Sequence, residues 1–166
     1  MFYKVLGSVL FILTLSKANI GGCKPPKTYV ASNDRMGFHN AFITCRQYGF
    51  EPAEIHTVEE HIMVEKLLKH EKAGLEHGFW IFATNLDDKK SYYWLNSGRR
   101  LFYSNFSKGQ PDNFKDNENC VQVFHISPGH FAWNDLPCTS QIRFLCQHYQ
   151  EEKNQEACEG NRVSNC

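Results

Sequence analysis

The sequence predicts a single α+β domain, and three observations carry that reading. Apolar residues recur at helical spacing early in the chain, short β-rich runs follow, and a long aperiodic stretch separates two of those runs. Phe38, Ala41, Phe42 and Cys45 fall at i, i+3, i+4 and i+7, so a first helix buries Cys45. Ser32, Asn33 and Asp34 offer its N-cap and Gly49 its stop. A second helix begins at Thr57, whose hydroxyl forms a capping box with Glu60. It carries Val58, Ile62, Met63, Leu67 and Leu68 and ends at Gly74.

The strands come next. A small one lies ahead of the first helix, around residues 28–31. From Phe79 onward, "FWIFAT" has strand composition, and "YYWLNSGRRLFY" folds back at Asn96-Ser97-Gly98. "CVQVFHI", "HFAWND" and "IRFLCQ" supply three more strands, so the sheets should be short and antiparallel. Residues 104–119, rich in Gly, Pro, Asn and Asp, form a loop too long for a compact domain unless a ligand or a function orders it.

Both ends lie outside this core. Lys4, the apolar run from Val5 to Leu15 and Ser16-Lys17-Ala18 have the three parts of a signal peptide over residues 1–18. That run is shorter than the roughly 20 residues a membrane span needs, and the mature chain is expected to be secreted. Residues 150–166 are polar and aperiodic, a tail beyond a domain of residues 27–149. A formal net charge of zero removes the electrostatic case for a nucleic-acid partner.

Seven cysteines in a secreted chain read as a disulfide framework, and the odd count leaves one free or bonded to another chain. Neither a C-x-x-C pair nor an H-E-x-x-H occurs, so zinc has no local signature.

The informative stretch is "GQPDNFKDNENC", residues 109–120, with "WNDLPC" at 133–138. Gln110, Asp112, Glu118, Asn134 and Asp135 all offer oxygen, none offers sulfur, and three of them are anionic. That is the donor set of a hard cation such as calcium, which takes six to eight oxygens. With the Asp135 carbonyl the set reaches six and leaves two places for adjacent hydroxyls of a sugar. An EF-hand is excluded, because Phe114 stands where that loop needs an oxygen.

"QPD" at 110–112, Glu118 before Cys120, "WND" at 133–135 before Cys138 and "FWIFAT" together resemble the C-type lectin domain of the galactose type. In character they are similar to secreted insect members of that family. The resemblance implies a fold of two helices packed on short antiparallel sheets with a long calcium-binding loop. It implies disulfides Cys45–Cys146 and Cys120–Cys138, a cis Gln110–Pro111 peptide and one calcium ion held by the five residues above. Gln110, Asp112, Glu118 and Asn134 would also hydrogen-bond the sugar, with Phe114 against its apolar face. Amide before acid, as in Gln110-Pro111-Asp112, implies galactose, whereas the reverse order implies mannose, because an amide donates and a carboxylate only accepts. Positions that hold a second ion in some relatives are Asn85, Lys89, Asn113 and Asn119, too poor in charge for one here.

Expected partners are therefore galactose-bearing glycans on cell or microbial surfaces, in innate defence or agglutination. Cys23, Cys158 and Cys166 remain to form an intrachain pair and an interchain bond in a homodimer. The sequon Asn105-Phe106-Ser107 is expected to carry a glycan. The competing reading is a calcium-independent protein-interaction module on the same fold. No G-x-S-x-G or other recognisable nucleophile supports an enzyme.

Overall fold

The computed structural model describes residues 26–70 and 78–150. The leader, Gly74, Cys23, Cys158, Cys166 and the tail lie outside the described residues. Among the described residues, seven strands and two α-helices make up the fold: β1 Lys27–Ala31, α1 Phe38–Gln47, β2 Glu51–Pro52, α2 Val58–Lys69, β3 Phe79–Thr84, β4 Tyr93–Trp94, β5 Cys120–Ser127, β6 His130–Leu136 and β7 Arg143–Tyr149. The sheet runs β1-β7-β3-β5-β6, with β2 beside β7 and β4 beside β3.

The sheet is mixed rather than wholly antiparallel. Phe79 and Trp80 of β3 pair in parallel with Arg143 and Phe144 of β7, while β3 is antiparallel to β4 and β5. A sequence of separate strand runs carries no sign of which two will lie side by side. At the entry to β3, Gly78 has φ +70°, and a Cβ there would lie 2.4 Å from Gln122 Oε1 and 2.7 Å from the Val123 carbonyl. Only glycine allows both the left-handed backbone and this close approach to β5.

Helix α1 begins later than its polar approach implies. Its N-cap is Gly37, with no side-chain cap bond. Ser32 and Asn33 are taken by β7 instead. The Ser32 hydroxyl accepts from the Phe144 N–H at 2.9 Å, and Asn33 accepts from Arg143 at 3.4 Å. The helix buries Phe38, Ala41 and Cys45, and its C-terminal turn closes with the Gly49 N–H donating to the Arg46 carbonyl, Gly49 at φ +78°.

Helix α2 starts where expected, with the Glu60 N–H donating to the Thr57 hydroxyl at 3.2 Å. The Glu60 carboxylate completes no capping box. It accepts from the His56 N–H at 2.6 Å and pairs with Lys27 at 2.8 Å. The buried face also differs from the expected one, being His61, Val64 and Leu68, while Val58, Ile62 and Met63 are exposed. A polar residue takes an inward position because its ring is fully engaged, as described below.

Two apolar cores flank the sheet. One joins α1 (Phe38, Ala41, Cys45) to Trp80, Phe82, Ile142 and Phe144. The other joins α2 (Val64, Leu68) to Ile81, Trp94, Val121, Phe131 and Trp133, and is covered by Tyr92, Leu101, Tyr103 and Phe106 from the segment that leads into the long loop. Both disulfides form, Cys45–Cys146 with Cα atoms 5.6 Å apart and Cys120–Cys138 at 5.2 Å. The first spans 101 residues and the second 18. On chain entropy they contribute about 5 and about 3 kcal/mol.

Candidate metal and ligand site

The long loop is anchored at both ends before it reaches the carboxylates. At its start, the Trp133 N–H donates to the Asn105 carbonyl at 2.8 Å, and the Ser107 N–H donates to the Trp133 carbonyl at 3.0 Å. The Gln110 N–H then donates to the Ser107 carbonyl at 2.9 Å. At its end, the Asn119 carbonyl accepts from the Thr84 hydroxyl at 2.7 Å and from the Asn85 N–H at 3.2 Å. Cys120 follows at once, tied to Cys138. Between these anchors the Gln110–Pro111 peptide is cis, and Asn113, Lys115 and Asp116 all have positive φ. Such backbone is uncommon outside glycine, so this turn is held by its surroundings.

What holds it is Asp135. Fully buried at the end of β6, its two carboxylate oxygens accept from the Asp112 N–H at 3.2 Å and the Asn113 N–H at 2.9 Å. The Tyr92 hydroxyl approaches the same carboxylate at 3.4 Å. Glu118 folds inward beside it, accepting from the Phe114 N–H at 3.3 Å, while its own N–H donates to the Asn113 side chain at 3.0 Å.

Carboxylate oxygens of Asp112, Glu118 and Asp135 come within 4.8 Å of one another. Burial first, then the charges of Asp135 and Asp112, push the Glu118 carboxyl above the ordinary glutamate range. Burial, followed by Asp135, likewise raises the Tyr92 phenol. Two oxygens bound to one calcium at 2.3–2.6 Å lie at most about 5 Å apart, so the cluster has the right span.

The two amide residues join the same cluster. Gln110 Oε1 accepts from the Asp112 N–H at 3.1 Å. The Asn134 side-chain N–H donates to the Asp135 carbonyl at 2.6 Å, which leaves Asn134 Oδ1 buried and without a partner among the described groups. An orphaned buried oxygen beside three crowded carboxylates is what a hard cation would satisfy. The donor set therefore fits calcium.

The remaining candidates fall around this cluster. Phe114 is 60% exposed at the loop's lip, with the Lys115 ammonium 5.2 Å from its ring centre. Lys89 donates to Asn119 Oδ1 at 2.8 Å, so an ammonium already occupies part of the neighbouring polar group. Asn105 is partly buried, its amide nitrogen 3.1 Å from the Phe131 carbonyl and 2.9 Å from His61. Attaching a glycan to that nitrogen would require these contacts to open. A separate cavity of about 350 Å3, lined by His39, Thr84, Leu86, Tyr93, Trp94 and Leu95, contains none of the candidate ligands. The cluster runs from exposed Asp112 to buried Glu118 and Asp135.

Tyr92, whose hydroxyl reaches Asp135, and Asn113, whose side chain accepts from the Glu118 N–H, touch the cluster directly, and Tyr92 does so from across the fold with no signal in the motif spacing.

The family model described as the lectin C-type domain matches residues 34–148. The chain belongs to the C-type lectin family. The fold is thus a carbohydrate-binding one rather than that of an enzyme family. Among curated relatives, a perlucin-like protein of Mytilus galloprovincialis is 31% identical over 75% of this chain and 80% of its own length. Lectin subunit alpha of Sarcophaga peregrina is 22% identical over 97% of this chain, which spans only 60% of the fly protein. Among solved structures, the carbohydrate-recognition domain of the mouse scavenger receptor C-type lectin superposes with a TM-score of 0.61 at 28% identity, covering 75% of this chain and 90% of that one.

Proposed function

We propose that the protein is a secreted, calcium-dependent lectin that binds galactose-bearing glycans. One calcium ion would be held by Gln110, Asp112, Glu118, Asn134 and Asp135, and would supply the charge that binds two adjacent hydroxyls. The observation that carries this is the unpartnered Asn134 Oδ1 beside three carboxylates within 4.8 Å of one another. Lys89, bonded to Asn119, supports a single ion by placing a fixed cation in the adjacent group.

The choice of sugar rests on polarity. Gln110 can donate on one side of the ion and Asp112 only accept on the other, an order that suits galactose. Phe114 would lie under its apolar face. A sugar of about a dozen heavy atoms gains about −4 kcal/mol, near millimolar, so useful binding needs several sites together. A homodimer, bridged through one of Cys23, Cys158 and Cys166 or non-covalent, would provide two. The leader on residues 1–18 directs secretion in this reading. Among the described residues no helix is long and apolar enough to cross a membrane.

Retention on immobilised galactose in calcium, with elution by EDTA, tests the reading. Retention that survives EDTA would instead favour a calcium-independent interaction module. Exchanging Gln110→Glu together with Asp112→Asn should move preference toward mannose on a glycan array, and an unchanged preference would refute the polarity argument.

A further inference from the structure

His61 lies on the buried face of α2, far in sequence from every candidate ligand, and is 5% exposed. Its ring faces donors on both nitrogens. The Trp133 indole N–H donates to Nδ1 at 3.3 Å, and the Asn105 amide nitrogen lies 2.9 Å from Nε2. The Phe131 carbonyl is 3.1 Å from Nε2. An indole nitrogen can only donate, so the ring must keep an acceptor nitrogen toward Trp133. A neutral imidazole has one acceptor, and an imidazolium has none.

What His61 touches leads directly to the ligand cluster. Trp133 precedes Asn134 and Asp135 in β6. Asn105 opens the loop that pairs with Trp133 and passes through Ser107 to Gln110. The Trp133 ring is enclosed by Trp94, Tyr103 and Phe106, with centroids 5.6–5.9 Å away. This network lies on the side of the sheet that neither disulfide crosses.

We propose that His61 is the positioning residue for the calcium loop, and that protonation of its Nδ1 disengages Trp133, on whose backbone the loop start at Asn105 and Ser107 pairs, and so loosens the grip of Gln110, Asn134 and Asp135. The inference rests on the calcium reading above.

The titratable groups around the ring decide the direction. From α2, Glu65 Oε1 lies 3.8 Å from Nε2 and accepts from the Phe131 N–H at 3.0 Å. From the loop segment the facing group is Tyr103, its ring 6.5 Å away. From the hairpin, His125 packs on Phe131, next to His130. Glu65 and the Phe131 carbonyl favour a charged ring, but burial outweighs them and holds His61 below the ordinary imidazole range. The closed loop therefore binds fewer protons than the open one. Closure is fully favoured above about pH 6.5 and weakens as the pH falls below it, with Glu65 available to receive the displaced ring. At pH 5.5 the shift toward the open loop reaches at most about tenfold.

The test uses the full chain and calcium alone, comparing wild type with His61→Gln. Glutamine offers Trp133 an acceptor and Phe131 a donor but cannot titrate. Wild type should lose up to about tenfold more calcium affinity than His61→Gln between pH 7.5 and 5.5. Equal losses would overturn the proposal. Should the variant not fold, NMR of the calcium-free wild type decides. The Trp133 indole N–H and the Ser107 amide should move with the midpoint of the His61 ring, and resonances unmoved through that titration would overturn it. If wild type binds no calcium at pH 7.5, the metal reading fails, while the NMR arm still decides whether His61 holds the loop.

Discussion

The two faces of the sheet are secured by different means. On the α1 face, Cys45, Cys146 and Cys120 sit inside the apolar core with Phe38, Trp80 and Phe82, so covalent bonds and packing coincide. On the α2 face, the core beneath the long loop contains no cysteine. It is held by aromatic rings packed edge-to-face around Trp133 and by the hydrogen bonds of His61. Both cross-links that constrain the unfolded chain lie on the first face. The other is held by hydrogen bonds and ring contacts alone, and it contains Trp133, next in sequence to the candidate ligands Asn134 and Asp135. Local stability of this graded kind is usual where a binding loop must respond to its ligand.

The largest effect should come from the cluster itself. Glu118→Gln or Asp135→Asn should lower calcium affinity by more than about a hundredfold, read by calorimetry, since each removes an anionic ligand. Glu118→Gln has an opposite effect in the metal-free chain. A glutamate whose pKa is raised by folding contributes stability below about pH 4.5 and loses it as the pH rises through the raised value. At pH 7 without calcium, the neutral variant should therefore melt at or above the temperature of wild type.

Next in size, Cys45→Ala with Cys146→Ala should cost about 5 kcal/mol in urea unfolding, and Cys120→Ala with Cys138→Ala about 3. The first pair should leave calcium affinity nearly unchanged in chain that remains folded. The second should weaken it as well, because that bridge ties the end of the loop to the strand carrying Asn134 and Asp135. If both pairs altered calcium binding equally, the contrast between the two faces would be wrong.

A smaller effect is expected at Trp133→Phe, which keeps most of the ring and loses the bond to His61. It should cost about 1 kcal/mol of stability and weaken calcium binding a few-fold. The smallest belongs to Phe114→Ala. It should leave calcium affinity unchanged and lower galactose affinity by about three- to tenfold on a glycan surface.

Much of the fold, and the gathering of Asp112, Glu118 and Asp135 into one cluster, could be read from the sequence, for identifiable reasons. Cys45 at a helical core position, the Thr57 cap and the strand runs are local signals, and local interactions fix them. The five oxygen donors stand out because their chemistry is unusual together. What escaped depends on distant partners. Ser32 and Asn33 look like helix caps until β7 claims their side chains, which shifts the start of α1 to Phe38. Val58, Ile62 and Met63 look like a core face until His61 takes the inward position by finding Trp133, Phe131 and Asn105. The parallel pairing of β3 with β7 joins residues over 60 apart, for which no periodicity speaks.

Calcium titration calorimetry on the wild-type chain at pH 7.5, repeated on Asp135→Asn, tests the central claim most directly. The account predicts one ion per chain for wild type and no measurable binding for the variant. A wild-type chain that takes up no calcium, or a variant that binds as tightly, would contradict it.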